Sequence, residues 1–154
     1  MIKNLLQYWK IDVVCLQETK LEGDIGKMIK EVWGNRWSNY VQLQASGIRG
    51  GVVIIWDTRE WEGVISSQGM YTITYSFTRK NQEFQWHLTG VYAPNDRQER
   101  EETWWEIGAA RGLNSGPWVL CGDFNTTSHP SEKKSCNRIN KAMTDFLSLL
   151  KIWN

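Results

Sequence analysis

Three short apolar runs end in residues that can handle phosphate. Val13-Val14-Cys15-Leu16-Gln17 ends in Glu18, Leu88-Thr89-Gly90-Val91-Tyr92 leads to Pro94-Asn95, and Val119-Leu120-Cys121-Gly122 ends in Asp123 and Asn125. An apolar run that stops at a glycine and then presents a carboxylate and a carboxamide reads as a buried strand with polar side chains at its C-terminal edge. In open α/β sheets ligands collect at that edge. If the three strands lie side by side, two carboxylates, two carboxamides and a phenol gather there. Carboxylate oxygens suit a hard cation such as Mg²⁺, which keeps several waters and needs few protein ligands. Carboxamides and a phenol donate hydrogen bonds to phosphate oxygens and to developing negative charge.

Each residue also has a plainer reading. Glu18 fits a solvated strand end, Tyr92 a core position, Asn95 a turn after Pro94, and Asp123 with Asn125 an Asx turn. Taken together, the plain readings must explain three coincidences. Other polar residues carry less. His87 alternates with Gln85 and Thr89, which assigns it to a polar strand face, and His129 precedes Pro130 in a loop. Lys133, Lys134 and Arg138 read as a solvated basic loop and helix start, and Lys20 and Arg49 are weak candidates for phosphate contact. Trp104-Trp105 reads as packing rather than a base-stacking platform.

The elements that must position these residues follow from periodicity. Ile2, Leu5, Leu6 and Trp9 recur at helical spacing, and Ile11 to Gln17 is an apolar strand. After Gly23-Asp24, the stripe Ile25, Met28, Ile29, Val32 predicts a second helix that Gly34 ends. Residues 37–45 read as extended, Gly47, Gly50 and Gly51 as a loop, and Val52 to Trp56 as a continuously apolar strand. Trp61 to Ser66 extends again. Tyr71, Ile73, Tyr75 and Phe77 alternate with polar residues, and Phe84, Trp86 and Leu88 alternate on the return strand beyond a tip at Lys80-Asn81-Gln82. A helix spans Arg97 to Arg111 with Trp104 and Ile107 on one side, and Ile139, Met143, Phe146, Leu147 and Leu150 mark a last helix.

Composition sets limits. The chain has 154 residues, 41% hydrophobic and 23% charged, with formal net charge +1. That length suits one domain that buries about 70% of its unfolded surface. The balanced charge carries no global footprint of a nucleic-acid binder, although a local basic groove is compatible with it. Mean hydropathy is -0.49, and no apolar run is long enough to span a bilayer. Cys15, Cys121 and Cys136 are widely spaced, which argues against a disulfide framework or zinc site and for reduced thiols. The N-terminus is amphipathic rather than signal-like, so an intracellular location, nucleus or cytoplasm, is expected rather than secretion.

LQETK, GVYAPN and GDFN, in this order and spacing, resemble the endonuclease/exonuclease/phosphatase superfamily, which includes deoxyribonuclease-I-like enzymes. Within it, the chain resembles the endonuclease domain of plant LINE-type retrotransposons. There, RGG before an apolar strand, ITGVYAPN, GPWxxCGDFN and a SEKKSC-like segment occur together. Here these are Arg49-Gly50-Gly51, Leu88 to Asn95, Gly116 to Asn125, and Ser131 to Cys136. The resemblance implies an α/β (α+β) fold, a four-layer β-sandwich with outer helices and a mixed, largely antiparallel sheet arrangement. It implies Glu18 as the ligand of Mg²⁺ or Mn²⁺ and Asp123 as the group that orients or activates the attacking water. Asn125 would steady the aspartate and the phosphate, and Tyr92 and Asn95 would contact the scissile phosphate. The implied reaction is in-line phosphodiester hydrolysis, and the implied partner is DNA, nicked to prime reverse transcription.

The family pattern also has an asparagine on an earlier strand and a later Ser-Asp-His segment, neither of which occurs in residues 1–154. The expectation is one incomplete domain, with an apolar sheet face that a partner or self-association would cover. An alternative follows: a catalytically inactive remnant or binding module of that domain, since grouped site residues do not contribute additively.

Overall fold

The computed structural model describes residues 2–44, 50–127, 130–132 and 138–152. In chain order the elements are α1 (Ile2–Trp9), β1 (Val13–Gln17), α2 (Gly26–Trp33), β2 (Ser38–Leu43), β3 (Val52–Asp57), β4 (Trp61–Gln68), β5 (Thr72–Arg79), β6 (Gln85–Tyr92), α3 (Arg97–Leu113), β7 (Trp118–Asp123) and α4 (Lys141–Ile152), with a 3₁₀ turn at Pro130–Glu132. Local chemistry sets several boundaries. Gly34 takes a left-handed conformation (φ 85°) and donates its N–H to the Lys30 carbonyl, closing α2. The Asp96 carboxylate accepts the N–H groups of Gln98 and Glu99, capping α3. Asn81, at φ 64°, turns the β5–β6 hairpin.

Two sheets form. The first has the order β1-β3-β2, antiparallel throughout, and the second the order β4-β5-β6-β7. The β4-β5-β6 pairings are antiparallel, and β6-β7 is parallel. The two lie face to face around a core that includes Val52, Ile54, Trp56, Ile73, Phe77 and Leu88. α1 and α2 cover the outside of the first sheet through Leu6, Ile29 and Trp33 on Val53 and Ile55. α3 and α4 cover the outside of the second through Ile107, Phe146 and Leu149 on Val91 and Ala93. The result is the expected mixed, mostly antiparallel four-layer sandwich. β3 lacks alternation because it is the central strand of its sheet and is buried on both faces.

The structure alters or sharpens several of these expectations. β1 does not lie beside β6 and β7; it pairs with β3 in the other sheet. The three strand ends therefore approach one another across the sandwich rather than along one edge. His87 lies on the polar strand face that alternation assigned, but that face is buried. Its Nδ1 is 2.8 Å from Ser76 Oγ and its Nε2 is 2.8 Å from the Ser115 carbonyl, and it is buried with Thr74 and Thr89. That polar stripe is the outer face of the second sheet, where paired hydroxyls replace solvent: Thr74 and Thr89 are 2.7 Å apart, and Trp118 Nε1 donates to Thr89 at 2.9 Å. The tryptophan pair divides, with Trp104 packing on Phe124 and Phe146 while Trp105 is exposed. In α4, Met143, Phe146 and Leu149 form the buried stripe, and Ile139 lies exposed before the helix. Val119, on the inward face of the edge strand β7, is 49% exposed.

Candidate active site

Small residues bring the strand ends together. Gly122 is forced by contact: a Cβ there would lie 2.2 Å from the Val91 carbonyl oxygen. Its absence lets β7 run parallel to β6 with Tyr92 beside Asp123. On the opposite sheet, Gly50 (φ 82°) lies under the Tyr92 ring, and a Cβ at Gly50 would sit 2.6 Å from that ring. The carbonyls of Gly50 and Gly51 accept the N–H groups of Lys20 and Thr19 at 3.3 and 3.4 Å. The turn after β1 is thereby tied to the loop before β3, directly beneath Tyr92. Both Glu18 (φ 49°) and Lys20 (φ 50°) adopt the left-handed region in this turn, where non-glycine residues are uncommon.

Past β7, Asp123 Oδ1 accepts the Asn125 N–H at 2.9 Å, an Asx turn. The Ala93 N–H donates to the Asp123 carbonyl at 2.8 Å, and Asn125 Nδ2 donates to the Ala93 carbonyl at 2.5 Å. Asn125 itself is left-handed, at φ 46°. The turn is thus locked on both sides, which fixes the orientation of the aspartate. Asn95, Asp123 and Asn125 line one open cleft of 670 Å³, joined by Arg100, Thr126, Thr127, Asn140 and Lys141. Glu18 is exposed, as is Lys20, at the end of β1. Arg49 lies outside the described residues, as do His129, Lys133, Lys134 and Cys136.

Sequence reading did not select Arg100. Its Nη1 donates to the Asn95 carbonyl at 3.0 Å, which holds a guanidinium beside that turn. The only sequence signal was its place one turn into a helix that follows Pro94-Asn95. Nor did sequence reading select Asn140 and Lys141. Asn140 Oδ1 accepts the Met143 N–H at 3.0 Å, so α4 begins at the cleft wall.

The donor set can be weighed against a divalent cation. Glu18 presents a carboxylate at a strand end, and the neighbouring Thr19 Oγ1 is buried with no hydrogen-bond partner among the described residues. No group of three or more His, Cys, Asp and Glu residues with metal-holding geometry occurs among the described residues. Oxygen donors of this kind fit an ion that keeps most of its own water and takes few protein ligands, and not a tetrahedral N/S site.

The sequence of residues 1–146 matches the model of the Endonuclease/Exonuclease/phosphatase family. The chain belongs to that family, whose enzymes generally use divalent metals. Among solved structures it is similar to the endonuclease domain of TRAS1, a telomere-specific non-LTR retrotransposon, with a TM-score of 0.71 at 14% identity over 98% of this chain and 64% of that one. It is also similar to a mannosyl-6-phosphatase from Bacteroides thetaiotaomicron, with a TM-score of 0.64 at 15% identity over 96% of this chain and 60% of that one. The human Nocturnin catalytic domain, solved with a sulfate anion, matches with a TM-score of 0.58 at 13% identity over 80% of this chain and 55% of that one. The chain therefore spans roughly three fifths of the length of such structures, and the likeness at these identities is one of fold. No curated protein sequence matches it. No helix among the described residues is long and apolar enough to cross a membrane.

Proposed function

We propose that this chain carries the phosphodiester-cleaving site of a divalent-metal-dependent endonuclease domain that nicks DNA, of the kind found in LINE-type retrotransposons of plants. The observation that carries the reading is the register of Tyr92 with Asp123, which lines a cleft together with Asn95 and Asn125. Glu18 would hold Mg²⁺ or Mn²⁺, which when bound would supply charge neutralisation at the phosphate or the departing oxygen. Asp123, whose Oδ1 is fixed by the Asn125 N–H, would orient or activate the attacking water with its remaining oxygen. Asn125 donates one amide N–H to the Ala93 carbonyl, which steadies the Asp123 turn, and its second N–H would be left for a phosphate oxygen. Tyr92 and Asn95 would bind the scissile phosphate, with Lys20 and Arg49 as weaker contacts to its flanks.

A second reading is a binding module of this domain that does not turn over, since the cleft also carries Arg100 and Lys141, which suit a phosphate backbone whether or not it is cut. A plasmid-nicking assay with Mg²⁺, beside Glu18→Ala and Asp123→Ala, separates the two. Nicking by the parent chain that both variants lose supports the enzyme. DNA binding that persists in all three without nicking supports the module.

A further inference from the structure

Cys15 and Cys121 meet between the two sheets, just inside the strand ends. Cys15 from β1 and Cys121 from β7 pack against the same inter-sheet core. Gly90 is the register partner of Cys121, and a Cβ on Gly90 would lie 3.4 Å from Cys15 Sγ. Cys15 therefore rests over the Gly90–Cys121 pair, in a sheet whose neighbouring strands are about 4.8 Å apart. One amide reaches both sulfurs: Gln17 Nε2 is 3.1 Å from Cys121 Sγ and 3.8 Å from Cys15 Sγ. Both thiols are free and half-buried. The proposed site chemistry does not use them.

We propose that Cys15 and Cys121 form a redox-active dithiol, an oxidation site at which a hydroperoxide installs a disulfide that ties one sheet to the other. The bond would join the strands that present Glu18 and Asp123, so it would fix the spacing between the two halves of the candidate active site.

The environment divides the roles. The hydrogen bond from the Cys15 thiol, with the Gln17 amide assisting, pulls the Cys121 thiol down to about 6 against the effect of burial. The interaction with Cys121, then burial, pushes the Cys15 thiol up. Cys121 is accordingly the attacking sulfur. Its thiolate bonds to one oxygen of the hydroperoxide, the O–O bond breaks, and the departing oxygen takes a proton and leaves as alcohol or water. Cys121 is then a sulfenic acid. The Cys15 sulfur attacks that sulfur, an S–S bond forms, and the hydroxyl leaves with the Cys15 proton as water. The two thiols give up two electrons and two protons, and the hydroperoxide is reduced. A small thiol such as glutathione reverses the bond by exchange.

The test uses the full chain carrying Cys136→Ser, treated with hydrogen peroxide, capped with iodoacetamide and digested without reductant for mass spectrometry. The expected product is a linked pair of peptides containing Cys15 and Cys121, lighter by two hydrogens than the separate peptides and released by dithiothreitol. The link forms faster in folded protein than in urea. In a Cys15→Ser chain the reaction stops at a sulfenic acid on Cys121 that dimedone traps. Full alkylation of both cysteines after peroxide overturns the proposal, as does linkage that is no faster when the chain is folded. Sulfenic acid trapped on Cys15 rather than Cys121 in the parent overturns the assigned roles.

Discussion

Gly122→Ala adds a single carbon where none fits. The new Cβ would lie 2.2 Å from the Val91 carbonyl oxygen, 2.7 Å from Val91 Cβ and 2.8 Å from the Val91 carbonyl carbon. Ordinary contact begins at 3.4 Å, and two of these three obstacles are backbone atoms that cannot rotate away. Overpacking costs about 1–3 kcal/mol where neighbours can adjust, and a backbone obstacle puts this case near the upper end, about 3 kcal/mol. That is a large share of the roughly 5–15 kcal/mol that holds a typical domain together. For a chain of this size each kcal/mol shifts the melting temperature by about 2–4 °C, so a fall of about 6–12 °C is expected. Thermal unfolding followed by circular dichroism measures it. Gly108→Ala is the reference, because Gly108 lies in α3 with nothing within 4 Å of the added carbon. It should stabilise by about 0.5–1 kcal/mol through reduced backbone freedom in the unfolded chain. A Gly122→Ala chain melting within about 2 °C of the parent would refute the close β6–β7 packing on which the Tyr92–Asp123 register rests.

Two further outcomes follow from side chains away from the site. Glu106 accepts the N–H groups of Met70 and Tyr71 at 2.7 and 3.0 Å and the Thr72 hydroxyl at 2.9 Å, clamping the β4–β5 turn to α3. Glu106→Ala should lower stability by about 2 kcal/mol in urea unfolding, and an unchanged midpoint would show that the clamp contributes nothing. Asp57 receives the Arg59 side chain on both carboxylate oxygens, at 2.6 Å from Nη2 and 2.9 Å from Nε, and this pairing holds its carboxyl below the usual carboxylate range. A depressed folded-state value contributes stability above the unfolded pKa of about 3.9, and that contribution fades as pH falls through the folded value. Asp57→Asn should therefore be less stable than the parent at neutral pH and converge with it in strong acid. A gap that stays constant with pH would exclude the pairing as its cause.

Much of the fold was legible in the chain because its periodicities are local. Alternation through 71–92 marked the β5–β6 hairpin, Gly34 closed α2 where a left-handed cap was needed, and the unbroken apolar run at Val52 marked a strand with no solvent face. The polar strand ends were legible too, since a carboxylate or carboxamide after a buried run is a local event. Pairing was not. Nothing in IDVVCLQ says that its neighbour is β3 and not β6, because strand register is settled by which apolar faces cover each other. The burial of His87 was not legible for the same reason, as alternation shows that one face of a strand is polar but not whether that face is covered.

The sequence by itself determined the parts: a family, its elements, and the candidate site residues Glu18, Tyr92, Asn95, Asp123 and Asn125. The tertiary structure decided how those parts meet. It put Glu18 and Asp123 on opposite sheets, seated Tyr92 on Gly50, tied one Asn125 amide N–H to Ala93, and laid Cys15 over Cys121. The physical reason is that these meetings depend on the thickness of a packed core and on where a missing side chain lets backbones close in. Both are properties of residues far apart in the chain, and no window of sequence contains them.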